Sequence, residues 1–234
     1  MLPWYDLIYS KKEKKLVHHV LLNWSTYYQL LSAKKRKRFV LRCIRFYKSI
    51  NWKSHNKQSP SKQSKIIVSS AFTQITFGLR KHTLKDFDTI LLLPRSYRYI
   101  KSDLMFNGDV NLSKKRITLA WPAVDKGFQI PDDSLNLCLH EFSHCLMLEN
   151  QMSLFFSFFH SQDWKNYQAV AQKKMQQMKN GQTLFLRAYG GTNQMEFFAV
   201  ALEGFFEQPA EFKRFEPLLY ASLVRLLNQN PLNL

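Results

Sequence analysis

The sequence predicts an α+β domain, mostly helical with a small sheet. Apolar residues recur at helical spacing in the N-terminal and C-terminal thirds of the chain. Between them, DTILLLP (88–94) and KRITLAWP (115–122) are short apolar or alternating runs closed by Pro94 and Pro122, the pattern of strands. Helices, a small sheet and then more helices, in that order, make an α+β arrangement. With 234 residues, 45% of them hydrophobic, the chain can bury one sizeable core, or one core with a smaller appendage.

Each element has a local reason. KKLVHHVLLNWSTYYQLL reads as a helix. Ser32 is an N-cap for AKKRKRFVLRCIRFYKSI, where Phe39, Leu41, Ile44, Phe46 and Tyr47 follow a roughly helical apolar pattern. NWKSHNKQSPSKQSK, residues 51–65, lacks periodicity and reads as an exposed loop. IIVSSAFTQITFGL reads as a buried helix ending near Gly78. After the first strand, SDLMFNGDVNLS is turn-rich around Asn107-Gly108-Asp109. PDDSLN then offers several caps before LCLHEFSHCLMLEN, and Asp132 and Asp133 suit the start of that helix electrostatically. Helices follow at DWKNYQAVAQKKMQQMK, at MEFFAVALEGFF and, last, at FEPLLYASLVRLL, with NGQTLFLRAYGGTN as a loop. The stretch LFFSFF (154–159) reads as core, with a lid or a lipid contact as alternatives. There is no internal repeat.

The formal charge of +17 is unevenly spread. Residues 1–65 hold 16 Lys and Arg against two acids, Asp6 and Glu13, a net of +14, whereas the other 169 residues hold 18 against 15, a net of +3. Lys34-Lys35-Arg36-Lys37-Arg38 is therefore either a solvated helix face or a patch for an anionic partner, whether nucleic acid, lipid or acidic protein. Cys43, Cys138 and Cys145 form no C-x-x-C pair, and so sparse and odd a count suits a reducing compartment. The N-terminus lacks the order of a signal peptide, and no run approaches the ~18 apolar residues a membrane span needs. A cytoplasmic protein is the simplest reading; a chain trimmed of an N-terminal anchor would read the same.

The chemistry concentrates in His140-Glu141-Phe142-Ser143-His144, an H-E-x-x-H pattern. Residues four apart share a helix face, so His140 and His144 can reach one metal ion, and Glu141 can serve as general base toward a water there. The same pattern also arises by chance. The surrounding helix is apolar, however, through Leu135, Leu137, Leu139, Phe142, Leu146, Met147 and Leu148, and buried polar groups need partners. A zinc ion would be one. Met147 and Asn150 stand where a metzincin needs Gly and His, which excludes that class. Asp163 and His160 are conceivable third ligands. Glu196, on a later helix, is the better candidate, because a carboxylate completes a two-His-one-Glu set. Its alternative role is a capping box with Asn193. Glu203, seven residues on, shares the helix face of Glu196 and is a candidate acceptor for a ligand's ring N–H, or else an ordinary semi-exposed acid.

LHEFSH, and AYGGTNQMEFFAVALEGFFEQP with a tyrosine seven residues before its first glutamate, resemble the Mlc titration factor A family of zinc-dependent peptidases. LLSAKKRKRFVLRCIRFY, FDTILLLP and RITLAWPAV are similar in the same order, so the resemblance covers most of the chain. It implies a zincin-like (gluzincin) catalytic domain related in core layout to that of anthrax lethal factor. It further implies His140, His144 and Glu196 as zinc ligands, Glu141 as catalytic base, and Tyr189 facing the scissile carbonyl. Met147 departs from the family, which usually has Asp there, so support for the metal site must come from elsewhere, with Glu203 a candidate. The basic N-terminal region departs too. The family's repressor partner does not carry over on these residues.

The expected organisation is thus a basic helical segment, 1–65, and a zinc peptidase domain, 66–234, acting on a peptide or protein substrate. The strand Arg116–Trp121 is a candidate for edge pairing with that substrate. The competing reading is a non-catalytic, zinc-stabilised regulatory protein that engages a partner protein or nucleic acid through its basic N-terminal helices.

Overall fold

The computed structural model of the protein describes residues 9–55, 59–100, 103–152 and 157–234. Among the described residues three helices come first: α1 (Lys11–Trp24), α2 (Thr26–Leu30) and α3 (Ala33–Ser49). The expected first helix breaks at Ser25, whose hydroxyl accepts from Tyr28 N–H and so caps α2 rather than continuing α1. Ser32 takes the N-cap position of α3, as the spacing predicts.

Among the described residues the sheet has four strands in the order β1-β2-β4-β3: β1 (Asn51–Ser54), β2 (Thr89–Leu93), β3 (Gly108–Asn111) and β4 (Arg116–Ala120). β1, β2 and β4 run parallel, and β3 is antiparallel to β4, with Gly108 opposite Leu119. Three expectations need correcting here. The exposed loop at 51–65 begins with β1 and ends inside α4 (Lys62–Ile75), so its loop portion is shorter. β1 escaped the reading because Trp52 is its one apolar residue. SDLMFNGDVNLS contains β3, a half-exposed strand without apolar alternation. Third, β4 is paired on both sides, so it cannot add a substrate strand; the edge beside the histidine helix belongs to β3.

Pro122 does not simply end β4. It sits in the first turn of α5 (Trp121–Gln129), where a missing N–H costs nothing. After α5 come α6 (Leu137–Met152), α7 (Ser161–Lys179), a 3₁₀ turn at Ala188–Gly191, and α8 (Gln194–Glu207). The expected last helix is preceded by an additional short one, giving α9 (Pro209–Phe215) and α10 (Pro217–Leu227), each with proline in its first turn.

The core joins both halves of the sequence. Phe46 of α3 stacks on Phe72 of α4 at 4.0 Å between ring centroids, and Phe142 of α6 meets both edge-on at 5.6 and 5.3 Å. Edge-on aromatic contacts add to the area they bury. They fix α6, and with it the histidines, against the N-terminal helices. One cation of the basic segment is structural: buried Arg42 donates to the carbonyls of Thr76, Phe77 and Leu79 at 2.9–3.0 Å, holding the chain just after α4. Of LFFSFF, residues 154–156 lie outside the described residues, while Phe158 and Phe159 are buried in the core. Among the described residues no helix is long and apolar enough to cross a membrane.

Candidate metal centre

α6 begins where Asn136 turns the chain into a helix. Its side-chain oxygen accepts from Leu139 N–H at 3.2 Å and its carbonyl from His140 N–H at 2.9 Å. One turn in, His140 and His144 project together, ring centroids 4.6 Å apart and nearly perpendicular. α8 begins at Asn193, whose side-chain oxygen takes the N–H groups of Met195 and Glu196 at 2.9 and 3.0 Å. Asn193 does the capping alone. The Glu196 carboxylate turns instead to the histidines, with Oε2 3.0 Å from His140 Nε2 and Oε1 3.6 Å from His144 Nε2.

His140, His144 and Glu196 each offer one donor atom, all within 4.8 Å of one another. Among the described residues this group has no fourth protein member. His160 and Asp163, the other candidates, lie outside it; they face each other at 3.6 Å at the start of α7, with the His160 side chain largely exposed.

Two imidazoles and one carboxylate with a position left open are a fitting donor set for zinc in a catalytic role. The hydrogen bonding agrees. Glu196 Oε2, although 3.0 Å from His140 Nε2, makes no aligned hydrogen bond. Buried polar atoms left this way are costly unless something else satisfies them. The electrostatics also favour a cation: burial opposes charge on His140, but the Glu196 and Glu203 carboxylates outweigh it and push its pKa up to about 10. Burial, and then the charge on His140, push His144 down to about 4.

Glu203 is buried on α8 and serves several elements. Oε1 accepts from Asn136 N–H at 3.0 Å, at the mouth of α6. Oε2 lies 3.4 Å from His140 Nδ1 and accepts a close hydrogen bond from Arg187. The helix start, the ring and the guanidinium are thus held by one carboxylate. Asn136 lies in the PDDSLN stretch expected to cap this helix and does so through Leu139, whereas its bond to Glu203 and the role of Arg187 were not singled out, because both contacts cross long sequence separations.

Glu141 is 5% exposed and packs against β3. A side chain at Gly108 would place Cβ 2.9 Å from Glu141 Cδ and 2.8 Å from a Leu137 methyl, so the glycine makes room for the carboxylate. Burial pushes the Glu141 pKa up to about 8; His140 opposes this, while Asp109, Glu196 and Glu203 add to it. Tyr189, in the 3₁₀ turn, is half exposed, its ring centroid 6.1 Å from that of His140. Burial and the nearby Glu196 carboxylate push its phenol up. Met147 is core, so the departure at that position leaves support of the site to other residues. Asn150 ties down Ser157 and Phe159. His140, Glu141, Arg187, Tyr189, Glu203 and Gly108 line one open cavity of about 390 Å³.

The sequence profile of the family described as glucose-regulated metallo-peptidase M90 matches residues 6–227. The chain is also similar to a protein of Synechocystis sp. (strain ATCC 27184 / PCC 6803 / Kazusa), the uncharacterized protein slr2042: 23% identical over 222 residues, covering 88% of this chain and 81% of that one. A match over nearly the whole length, around a His-His-Glu cluster that could hold a metal ion, shows that the chain belongs to the glucose-regulated metallo-peptidase M90 family, which is the Mlc titration factor A family.

Proposed function

We propose that this protein is a zinc-dependent peptidase with a zincin-like catalytic domain, its metal held by His140, His144 and Glu196. The observation that carries the reading is the convergence of those three donors from two helices, with the buried Glu141 carboxylate beside them. Bound there, zinc would supply Lewis acidity, polarising the substrate carbonyl and making water more acidic. Glu141 takes a proton from the attacking water and returns it to the leaving amine. A carboxyl group with its pKa raised by burial is suited to both halves of that transfer. Tyr189, half exposed at the cavity wall, donates its hydroxyl hydrogen to the developing oxyanion. Glu203 fixes the His140 ring and so its orientation. The free edge of β3 gives an extended peptide a strand to pair with, so that role moves from β4 to β3. Three free buried cysteines suit activity in the cytoplasm.

Elemental mass spectrometry of the purified protein, beside Glu196→Ala and Glu141→Gln, tests the reading. The expected result is about one zinc per chain, lost in Glu196→Ala and kept in Glu141→Gln, with peptide hydrolysis absent from both variants. Full zinc in Glu196→Ala would remove that residue from the ligand set. Unchanged hydrolysis in Glu141→Gln would remove the proposed base.

A further inference from the structure

The cavity at the candidate metal centre is lined by two kinds of residue. One set is polar and includes His140 and Glu141. The other is apolar and comes from three separate stretches: Met105 and Phe106 ahead of β3, Ala123 on α5, and Leu135 and Leu137 where the chain enters α6. Two of these side chains are left largely in water, Met105 54% and Leu135 45% exposed. One exposed apolar side chain is ordinary on a protein surface. Two that share a cavity with a metal donor and the base form a patch that a ligand gains by covering.

The backbone fixes this apolar wall. Ser134, just before Leu135, has φ 57°, in the left-handed region that a residue with a Cβ rarely adopts. Its hydroxyl donates to Gln208 Oε1 at 3.0 Å, and the Leu135 N–H is shared by Asp133 Oδ1 at 2.9 Å and Glu207 Oε2 at 3.2 Å. The Asn136 side chain donates to the Gly127 carbonyl at 3.1 Å, which brings α5 against the same turn. A Cβ on Gly127 would lie 3.1 Å from the Leu135 carbonyl oxygen, so the approach is close. Met105 is held as well, its sulfur accepting from Arg98 Nε at 2.9 Å. A strained turn costs free energy, and this one places the Leu135 side chain at the cavity.

We propose that the apolar wall is a specificity subsite, which takes a large apolar side chain (leucine, methionine or phenylalanine) from the substrate residue next to the scissile bond. The proposal rests on the peptidase reading of the same cavity. Leu137 lies one helical turn before Glu141, and its methyl and the Glu141 carboxylate meet at Gly108, so the wall begins beside the base. A peptide bond placed for attack therefore carries a flanking side chain onto Leu137, Leu135 and Ala123. At about 390 Å³ the cavity is near the small end of ligand sites, with room for a side chain or two rather than a folded partner. With the turn already set, little ordering cost offsets the apolar area gained. Lys126, exposed one turn from Ala123 on the same lining, favours an acidic side chain instead, so charge is tested beside size.

Binding is read separately from turnover, so that the subsite and the peptidase reading can fail independently. Fluorescent alanine-based peptides of about six residues, roughly 20 Å when extended, carry a single Leu, a single Asp or neither. They are titrated by anisotropy into zinc-supplemented Glu141→Gln protein. A mixed peptide pool is digested with the wild type and its cleavage sites are read by mass spectrometry. The leucine peptide is expected to bind at least about tenfold more tightly than the other two, the scale of burying one such side chain. In the Glu141→Gln background, Leu135→Lys should abolish that difference. Ala123→Phe, which fills space on the wall, should shift the preference from the leucine to the all-alanine peptide. Zinc content and circular dichroism should be unchanged in both. Wild-type cleavage should cluster next to large apolar residues, and the clustering should be lost in Leu135→Lys. Equal binding of the three peptides would overturn the proposal, as would a leucine preference that survives both variants. Tighter binding of the aspartate peptide, lost in Lys126→Gln, would overturn it in favour of charge. Leucine-selective binding without any cleavage would keep the subsite and overturn the peptidase reading; cleavage without apolar clustering would do the reverse.

Discussion

Gly108→Ala probes the proposed base without touching it. An added Cβ lies 2.9 Å from Glu141 Cδ and 2.8 Å from a Leu137 methyl, where ordinary contact begins at 3.4 Å. Glu141 Oε1 lies closer still, so either the carboxylate retreats by about 1 Å or the edge strand moves away. Glu141 has little freedom to retreat, being 5% exposed on a helix fixed by Phe142 against Phe46 and Phe72. Overpacking of this kind costs ~1–3 kcal/mol. At ~3 °C per kcal/mol for a domain of this size, the thermal midpoint should fall by about 3–9 °C. The catalytic loss should be larger. Misplacing a reacting group by about 1 Å costs ~100-fold, so a retreat of that size should lower kcat by roughly 100-fold. None of the three atoms nearest the new methyl belongs to a proposed metal ligand, so zinc content should stay at the wild-type level. The assays are peptide hydrolysis, elemental mass spectrometry and thermal unfolding, with Gly191→Ala as control. There the added Cβ meets Met178 at 3.5 Å, an ordinary contact. Wild-type kcat in Gly108→Ala, at a lowered melting temperature, would refute the reasoning that the carboxylate must sit against β3. Loss of zinc would refute the separation of base from ligands.

Two further outcomes are expected. Glu203→Gln keeps the shape but removes the carboxylate beside His140 Nδ1, and zinc affinity should fall about 10–100-fold in a chelator competition; an unchanged affinity would reduce Glu203 to a partner of Asn136 and Arg187. Glu13 ties α1 to α3 and α4: burial would raise its pKa, but the Tyr47 hydroxyl, Lys48 at 3.0 Å and Lys62 at 3.6 Å outweigh it and hold it below the usual carboxylate range. A carboxyl with a lowered folded-state pKa stabilises the fold above its unfolded pKa and loses that contribution as pH falls through the folded value. Glu13→Gln should therefore cost roughly 1 kcal/mol by urea unfolding at neutral pH and almost nothing once pH is well below ~4. A cost that does not change with pH would remove the ionic explanation.

The parts of the fold that could be read from the sequence are those that write their own period. α3, α6, α7 and α8 bury long apolar faces, and β2 and β4 are apolar runs inside the sheet. β1 and β3 left no such trace, because edge strands with one exposed face need few apolar residues. Pro122 misdirected the reading of α5 because a proline ends a strand and opens a helix equally well. α9 was missed for its brevity: seven residues give too few turns for a period to show.

Legibility at the metal centre divides differently. His140 and His144 are visible because residues four apart share a helix face, and Glu141 because it follows the first of them in the H-E-x-x-H pattern. Glu196 and Glu203 are visible as a pair for the same reason, seven residues apart on α8. What holds those two helices in register is tertiary and left no spacing to read. The Asn136 N–H reaches Glu203 across 67 residues, and Gly108 makes room for Glu141 from a different element altogether. The capping question at Glu196 shows why this matters. Its sequence context fits a capping box and a ligand equally, and the choice depends on where the carboxylate finds its best partners. A capping box would give the Glu196 carboxylate only the Asn193 N–H, whereas two imidazoles lie within 3.6 Å. The side chain follows the stronger field, and that field is created by α6 packing against α8.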